Sequence, residues 1–169
     1  MKKLVLFIIL SVWSLSGFCQ QSPVDDLFER YDGKEGFSSV YISSKMFSLL
    51  ARIDNNDPEF RNIVTRIKSI RILSIDSAKN VAGINFCNDL LSKLKRTGYE
   101  DLMTVREEDG EVRFMIHEVG GKIAELVMVT DGYGSSVVSI TGDLDLKTIA
   151  SLSDNMGIEE LQGLENVKK

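Results

Sequence analysis

The chain has 169 residues, with 20 Lys and Arg against 25 Asp and Glu, one His and a formal net charge of −5. The acidic balance argues against a nucleic-acid or anionic-lipid surface, and a single histidine excludes a His-rich metal centre or a relay through two imidazoles. Two prolines and no low-complexity run leave little room for a long linker.

Lys2 and Lys3 precede an apolar run from Leu4 to Trp13, followed by Ser14 to Gly17, Phe18 and Cys19. This pattern reads as a secretory signal, since the apolar run falls well short of the roughly 20 residues of a membrane span. Residues 1–19 are therefore assigned to the signal and residues 20–169 to a single α+β domain in the periplasm or outer envelope. Two endings compete. Cleavage after Cys19 uses Gly17 and Cys19 as the small residues and leaves Gln20 first; alternatively Cys19 is the acylated first residue of a lipoprotein. Leu15-Ser16-Gly17 resembles a lipobox displaced by Phe18, which favours the soluble form. Loss of the two lysines takes the charge to 18 − 25 = −7, and loss of Cys19 leaves Cys87 alone, with no intramolecular disulfide.

Ser22-Pro23 predicts a helix start, with Val24, Leu27, Phe28 and Tyr31 on one face and an end near Asp32-Gly33. Phe37 to Ile42 reads as a strand, and Ser43 or Ser44 as the cap of a helix carrying Met46, Phe47, Leu50 and Ile53. Asp57-Pro58 starts another helix, with Phe60, Ile63, Val64 and Ile67 on its stripe, and Ile70 to Ile75 alternates as a strand. The longest helix carries Phe86, Cys87, Leu90, Leu91 and Leu94, with Gly98 at its C-terminus.

From there the period changes to two. Strands near 101–108, 111–119, 122–130 and 136–141, separated by glycine-containing turns, predict an antiparallel meander. A last helix should begin at Asp145, carry Leu146, Ile149 and Leu152, and end before Gly157. If Asp109-Gly110 and Gly120-Gly121 are two-residue turns, Arg106 faces Arg113, Phe114 faces Val127, Val112 faces Val129 and Met115 faces Leu126. Met103, Val105, Val112, Phe114, Ile116, Val127 and Val129 then share the richer face. The second face carries Leu102, Thr104, Met115, His117, Leu126 and Met128.

No residue set compels catalysis or a cofactor. His117 has no nucleophile beside it, and Glu118 projects from the opposite sheet face. Asp54 to Asp57 lack the glycine and distal glutamate of a calcium loop and read as a turn that caps the next helix. Asp143 and Asp145 suggest a metal pair, but Asp145 stands where an N-cap belongs. Cys87 lies on an apolar helix stripe, and Gly132-Tyr133-Gly134-Ser135 lacks the spacing of a nucleophile elbow. The positive functional signal is the second sheet face. Leu102, Met115, His117, Leu126 and Met128 would form a soft partner surface if no helix covered them.

The signal ending at Cys19-Gln20, the helix-rich first half, the meander from Asp101 to Thr141 and the closing Ile140-Thr141-Gly142-Asp143-Leu144-Asp145-Leu146 resemble the small exported Bacteroidetes proteins of domain-of-unknown-function family 4252. The resemblance implies an envelope-associated protein of undefined activity, with a link to envelope-stress or sigma-factor regulation. Some members look like lipoproteins. It carries no catalytic residue across.

The reading is thus an α+β domain with a mainly antiparallel sheet and helices packed on it, acting as a non-catalytic binding module for a protein partner or small ligand in the envelope. Membrane attachment is expected only through an acylated Cys19. The alternative is a periplasmic hydrolase or metal-dependent enzyme using Asp143, Asp145 or His117, which requires those side chains to converge.

Overall fold

Three helices begin where the sequence supplies an oxygen to their free first-turn amides. Ser22 Oγ accepts from the Val24 amide at 3.2 Å, Asp57 Oδ1 from Glu59 and Phe60 at 2.9 Å each, and Asn85 Oδ1 from Asn88 at 2.9 Å. The computed structural model describes residues 22–53, 57–76, 83–108, 110–132, 135–145 and 148–149. Residues 1–21, which include Cys19, the stretch Asp54 to Asn56, and Leu146 and Leu152 of the expected last helix with the residues from 150 onward lie outside them. Chain order is α1 (Pro23–Tyr31), β1 (Phe37–Ser43), α2 (Ser44–Ile53), α3 (Pro58–Arg66), β2 (Ile67–Ile75), α4 (Phe86–Arg96), β3 (Tyr99–Glu107), β4 (Gly110–Val119), β5 (Lys122–Gly132) and β6 (Ser136–Leu144).

The six strands form one antiparallel sheet in the order β1-β2-β6-β5-β4-β3. The expected meander from β3 to β6 is present, and β6 then pairs with β2, which pairs with β1. The architecture is α+β. Helices lie on both faces. On one, Leu27 and Phe28 of α1 and Phe86, Leu90 and Leu94 of α4 pack over Leu73, Met115, Val127, Val129 and Val137. On the other, Phe47 of α2 and Ile63 and Val64 of α3 pack over Ile70, Phe114, Leu126, Val138 and Ile140. A sheet covered twice needs apolar residues on both sides of its central strands, which explains the nearly unbroken apolar runs in β5 and β6.

The register departs from expectation at both hairpins. Glu107 pairs with Gly110, so Arg106 faces Glu111 rather than Arg113. Gly110 belongs to the strand, and only glycine fits there, since a Cβ would strike the carbonyl oxygen of Asp131 on β5. The pairing replaces a like-charge contact with an Arg106–Glu111 ion pair at 2.9 Å. Gly120 and Gly121 do form the next turn, with φ of 63° and 76° and Val119 opposite Lys122. Beyond Ile123, however, one extra residue on β5 shifts the ladder. Phe114 therefore faces Met128, Met115 faces Val127 and Ile116 faces Leu126.

Ile67 also changes role. The periodicity places it on the α3 stripe, but its backbone is extended, at φ −81° and ψ 126°, and it opens β2. Ile67 pairs with Gly142 of β6, where a Cβ would collide with the Arg66 carbonyl. Backbone cannot yield as a flexible side chain can. Gly142→Ala should cost about 1–3 kcal/mol of stability, measured by urea denaturation; an unchanged midpoint would refute the close approach.

Candidate functional site

The two edges of the sheet differ. β3 carries Glu100, Asp101, Arg106 and Glu107, contains a register shift between Asp101 and Met103, and is braced by a Lys95–Asp101 ion pair at 2.7 Å. Charge and irregularity of this kind block pairing with another chain. β1, with the sequence Phe-Ser-Ser-Val-Tyr-Ile-Ser, has no charge, no proline and seven consecutive partners on β2 without a shift. Among the described residues, no strand pairs with its outer side. Val40 and Tyr41 on β1 are 45% and 68% exposed, and Met46 and Leu49 on the adjoining α2 are 49% and 44% exposed.

Beside this edge lies a cleft of about 350 Å³. α1 and its C-cap contribute Asp25, Phe28, Glu29 and Asp32; β1 contributes Ser39, Val40 and Tyr41; β2 contributes Arg71. Arg71 stands opposite Tyr41 in the ladder, binds Asp25 at 2.5 Å and lies 4.8 Å from the Phe28 ring centre. Ser39 donates its hydroxyl to Asp32, tying β1 to the end of α1. The cleft holds three carboxylates against one guanidinium, a formal balance of 1 − 3 = −2.

α1 is set over the sheet from both ends. At its C-terminal end Tyr31 stacks on Phe37 at 4.5 Å and meets Phe86 edge-on at 5.9 Å. At its N-terminal end the Ser22 hydroxyl lies 3.2 Å from that of Tyr99. Tyr99 donates to Glu125 Oε2 at 2.5 Å, and Ser139 donates to Glu125 Oε1 at 2.6 Å. With its one proton given to Glu125, Tyr99 accepts from Ser22. Glu125 is 8% exposed, so these two donors carry most of its solvation. Burial, and then the charge of Glu125, raise the Tyr99 pKa well above the usual tyrosine range.

A family model described as Domain of unknown function (DUF4252) matches residues 31–152. The chain belongs to that family. No curated protein and no solved structure matches it. In this DUF4252 chain the matched range contains Asp32, the β1 edge and Arg71, whereas Asp25, Phe28 and Glu29 precede it.

The residues expected to share the second sheet face do not do so. Met115 is fully buried on the side covered by α1 and α4, while Leu126 is buried, and Leu102 and Met128 partly buried, on the side covered by α2 and α3. The extra residue on β5 moves Leu126 and Met128 away from Met115, because a one-residue slip exchanges the faces of a strand, and Leu102 falls in the separate register shift on β3. His117 stacks on Tyr99, with ring centres 4.9 Å apart, and is paired with Glu125 in the ladder. Asp143 binds Lys122 at 2.7 Å in a second, wider cleft of about 650 Å³. Asp145 pairs with Arg66 and accepts from the amide and hydroxyl of Thr148 at 2.7 Å each, the N-cap role expected of it. Burial alone would raise the Asp145 pKa, but the Thr148 and Arg66 contacts outweigh it and hold the carboxyl below its ordinary value. Asp143 and Asp145 thus line the same wider cleft, each paired with its own cation, whereas His117 does not line it. Cys87 is buried, and desolvation followed by the nearby Asp131 and Glu111 charges pushes its thiol up to about 11, the condition of an inert packing residue.

Sequence periodicity located β1 but gave no sign that it is an edge. Its lack of charge from residue 37 to residue 43 reads as an interior strand, and only the strand order places it at the edge.

Tyr99→Phe removes one of two donors to a buried carboxyl group and should destabilise the fold by about 1–3 kcal/mol. Because Tyr99 keeps its proton to higher pH when folded, its stabilising contribution is complete below about 10 and is lost as pH rises through the raised value. Urea titrations at pH 8 and above pH 10 should show this alkaline loss diminished in the Phe variant; an equal loss in both proteins would remove Tyr99 as its source.

Proposed function

We propose that this chain is an exported, non-catalytic interaction module of the bacterial cell envelope that engages a protein partner by strand addition at β1. The observation that carries the reading is the contrast between the two sheet edges. One is protected by charges and a bulge, and the other offers seven regular, uncharged residues. An added strand gains backbone hydrogen bonds from such an edge and specificity from the pockets beside it. Val40, Tyr41, Met46 and Leu49 add exposed apolar surface to β1 and α2. Export rests on the residues from Lys2 to Cys19. Placement in the envelope, with a role in stress regulation, extends the family resemblance. A lipid anchor at Cys19 is compatible with the same edge activity.

Intact mass of the protein recovered from its native envelope tests the export step. A chain beginning at Gln20 supports the soluble exported form, an acylated Cys19 supports a tethered one, and retention of Met1 to Cys19 overturns export.

Strand addition is tested by placing a photoreactive amino acid at position 41 or at position 107 in the native host. Position 41 should give a discrete adduct that Val40→Lys abolishes, with none at 107. Equal labelling at both edges, or an adduct indifferent to Val40→Lys, would refute the assignment. Circular dichroism of the Lys variant confirms that folding is retained.

A further inference from the structure

We infer that the strand received at β1 is basic on one side: an extended peptide whose Lys or Arg side chain enters the cleft between α1 and β1 while its neighbours project to the Val40 side. This inference rests on the strand-addition reading and names its partner. The geometry follows from the period of two. Ser39 and Tyr41 project toward α1, as the Ser39–Asp32 hydrogen bond and the Tyr41–Arg71 pairing show. Val40 projects the other way, opposite Ile72 of the face covered by α2 and α3. A strand laid antiparallel to β1 must alternate in the same manner. Every second side chain comes to lie beside Ser39 or Tyr41, at the mouth of the cleft.

The cleft selects charge there. Asp25 is answered internally by Arg71, whereas Glu29 and Asp32 leave the cleft with its net of −2. The exposed Tyr41 ring borders the same space and offers a face to a cation, worth about 0.5–1 kcal/mol at exposed sites. The Arg71 guanidinium already uses the Phe28 ring in this way within the cleft.

A second copy of the chain is the other obvious occupant of an open edge, and charge disfavours it. Two copies paired through β1 would bring Glu29 and Asp32 of one toward the same carboxylates of the other, in a protein whose net charge is already −5. The uncharged backbone of β1 accepts any strand. The cleft beside it discriminates against an acidic one.

The test uses eight-residue peptides of alternating valine and threonine in which one central threonine is replaced by Lys, Arg, norleucine or Glu, with a backbone N-methylated Lys peptide as control. They are titrated at low salt into the protein purified from its native host, and hydrogen exchange of the β1 amides is followed. The Lys and Arg peptides should bind about tenfold more tightly than the Glu peptide, with the advantage falling as salt rises. They should protect β1, and the N-methylated peptide should not bind. Glu29→Lys, at an exposed position outside the core, should abolish or reverse the preference. Several results overturn the inference. Equal binding of all four peptides with β1 protected removes the basic partner but leaves strand addition standing. Basic peptides that bind without protecting β1, or no binding by any peptide, remove both. Concentration-dependent dimers with β1 protected in the absence of peptide assign the edge to a second copy.

Discussion

One extra residue on β5 governs how the central strands divide their side chains between the two faces of the sheet. Glu118 faces Ile123 but His117 faces Glu125, so the chain accommodates an additional residue at Ala124. Because strand side chains alternate with a period of two, this single insertion exchanges the faces of everything beyond it. Met115, Val127 and Val129 turn toward α4, and Phe114 and Leu126 turn toward α2 and α3. The same shift sets Glu125 in line with His117 and Thr141, on the side where Tyr99 and Ser139 supply its hydrogen bonds. In a regular ladder Glu125 would face the other side of the sheet, without either donor. The faces taken by the β5 residues and the buried polar cluster at Glu125 therefore follow from this local irregularity, while separate shifts set the β2–β6 and β3–β4 pairings.

Most of the element order was legible in the sequence because it depends on local chemistry. Ser22-Pro23, Asp57-Pro58 and Asn85 mark helix starts through the amides that their side chains satisfy, and Gly98, at φ 87°, marks a helix end. The Gly120-Gly121 turn was legible for the same reason. The errors lie where distant backbone decides. Gly110 reads as a turn glycine and Gly142 falls just past the expected end of a strand, yet each is required by a carbonyl oxygen on a neighbouring segment. Ile67 satisfies a helical stripe equally well as the first buried residue of a strand, so periodicity could not separate the two roles. The partner surface read from Leu102, Met115, His117, Leu126 and Met128 assumed an unbroken ladder. The cleft was illegible for a different reason: α1, β1 and β2 bring residues from 25 to 71 together only after folding.

The unequal edges follow from how the chain uses its charges. β3 and its neighbour β4 gather Asp101, Arg106, Glu111 and Arg113 into contacts that cross the hairpin. Hydrogen bonds from Arg113, with a further contribution from Arg106, hold the Glu111 carboxyl below its ordinary pKa. The more exposed of these pairs, Arg106–Glu111, contributes little to stability. The effect of these contacts at an edge is to keep other strands away, since an incoming chain would have to desolvate or displace them. β1 has nothing comparable. Its neighbouring charges stand on α1 and β2 rather than in the strand itself, so they border an approaching chain without obstructing its backbone.

The cleft gains its definition from the core rather than from its own few contacts. α1 is nine residues long, too short to hold its form alone, and is fixed by burial of Val24, Leu27 and Phe28. Burial along one stripe leaves a helix free to slide or tilt, and the polar and aromatic contacts at its two ends restrict that freedom. Ser22 reaches Glu125 through Tyr99 at one end, and Tyr31 is held between Phe37 and Phe86 at the other. The carboxylates of α1 consequently stand at set positions beside β1. Ordering a binding surface at the moment of association costs free energy that would otherwise appear as affinity. A buried glutamate adds little net stability in its own right. Through Tyr99 and Ser22 it instead orients the helix that walls the cleft, connecting the central strands of the sheet to its open edge.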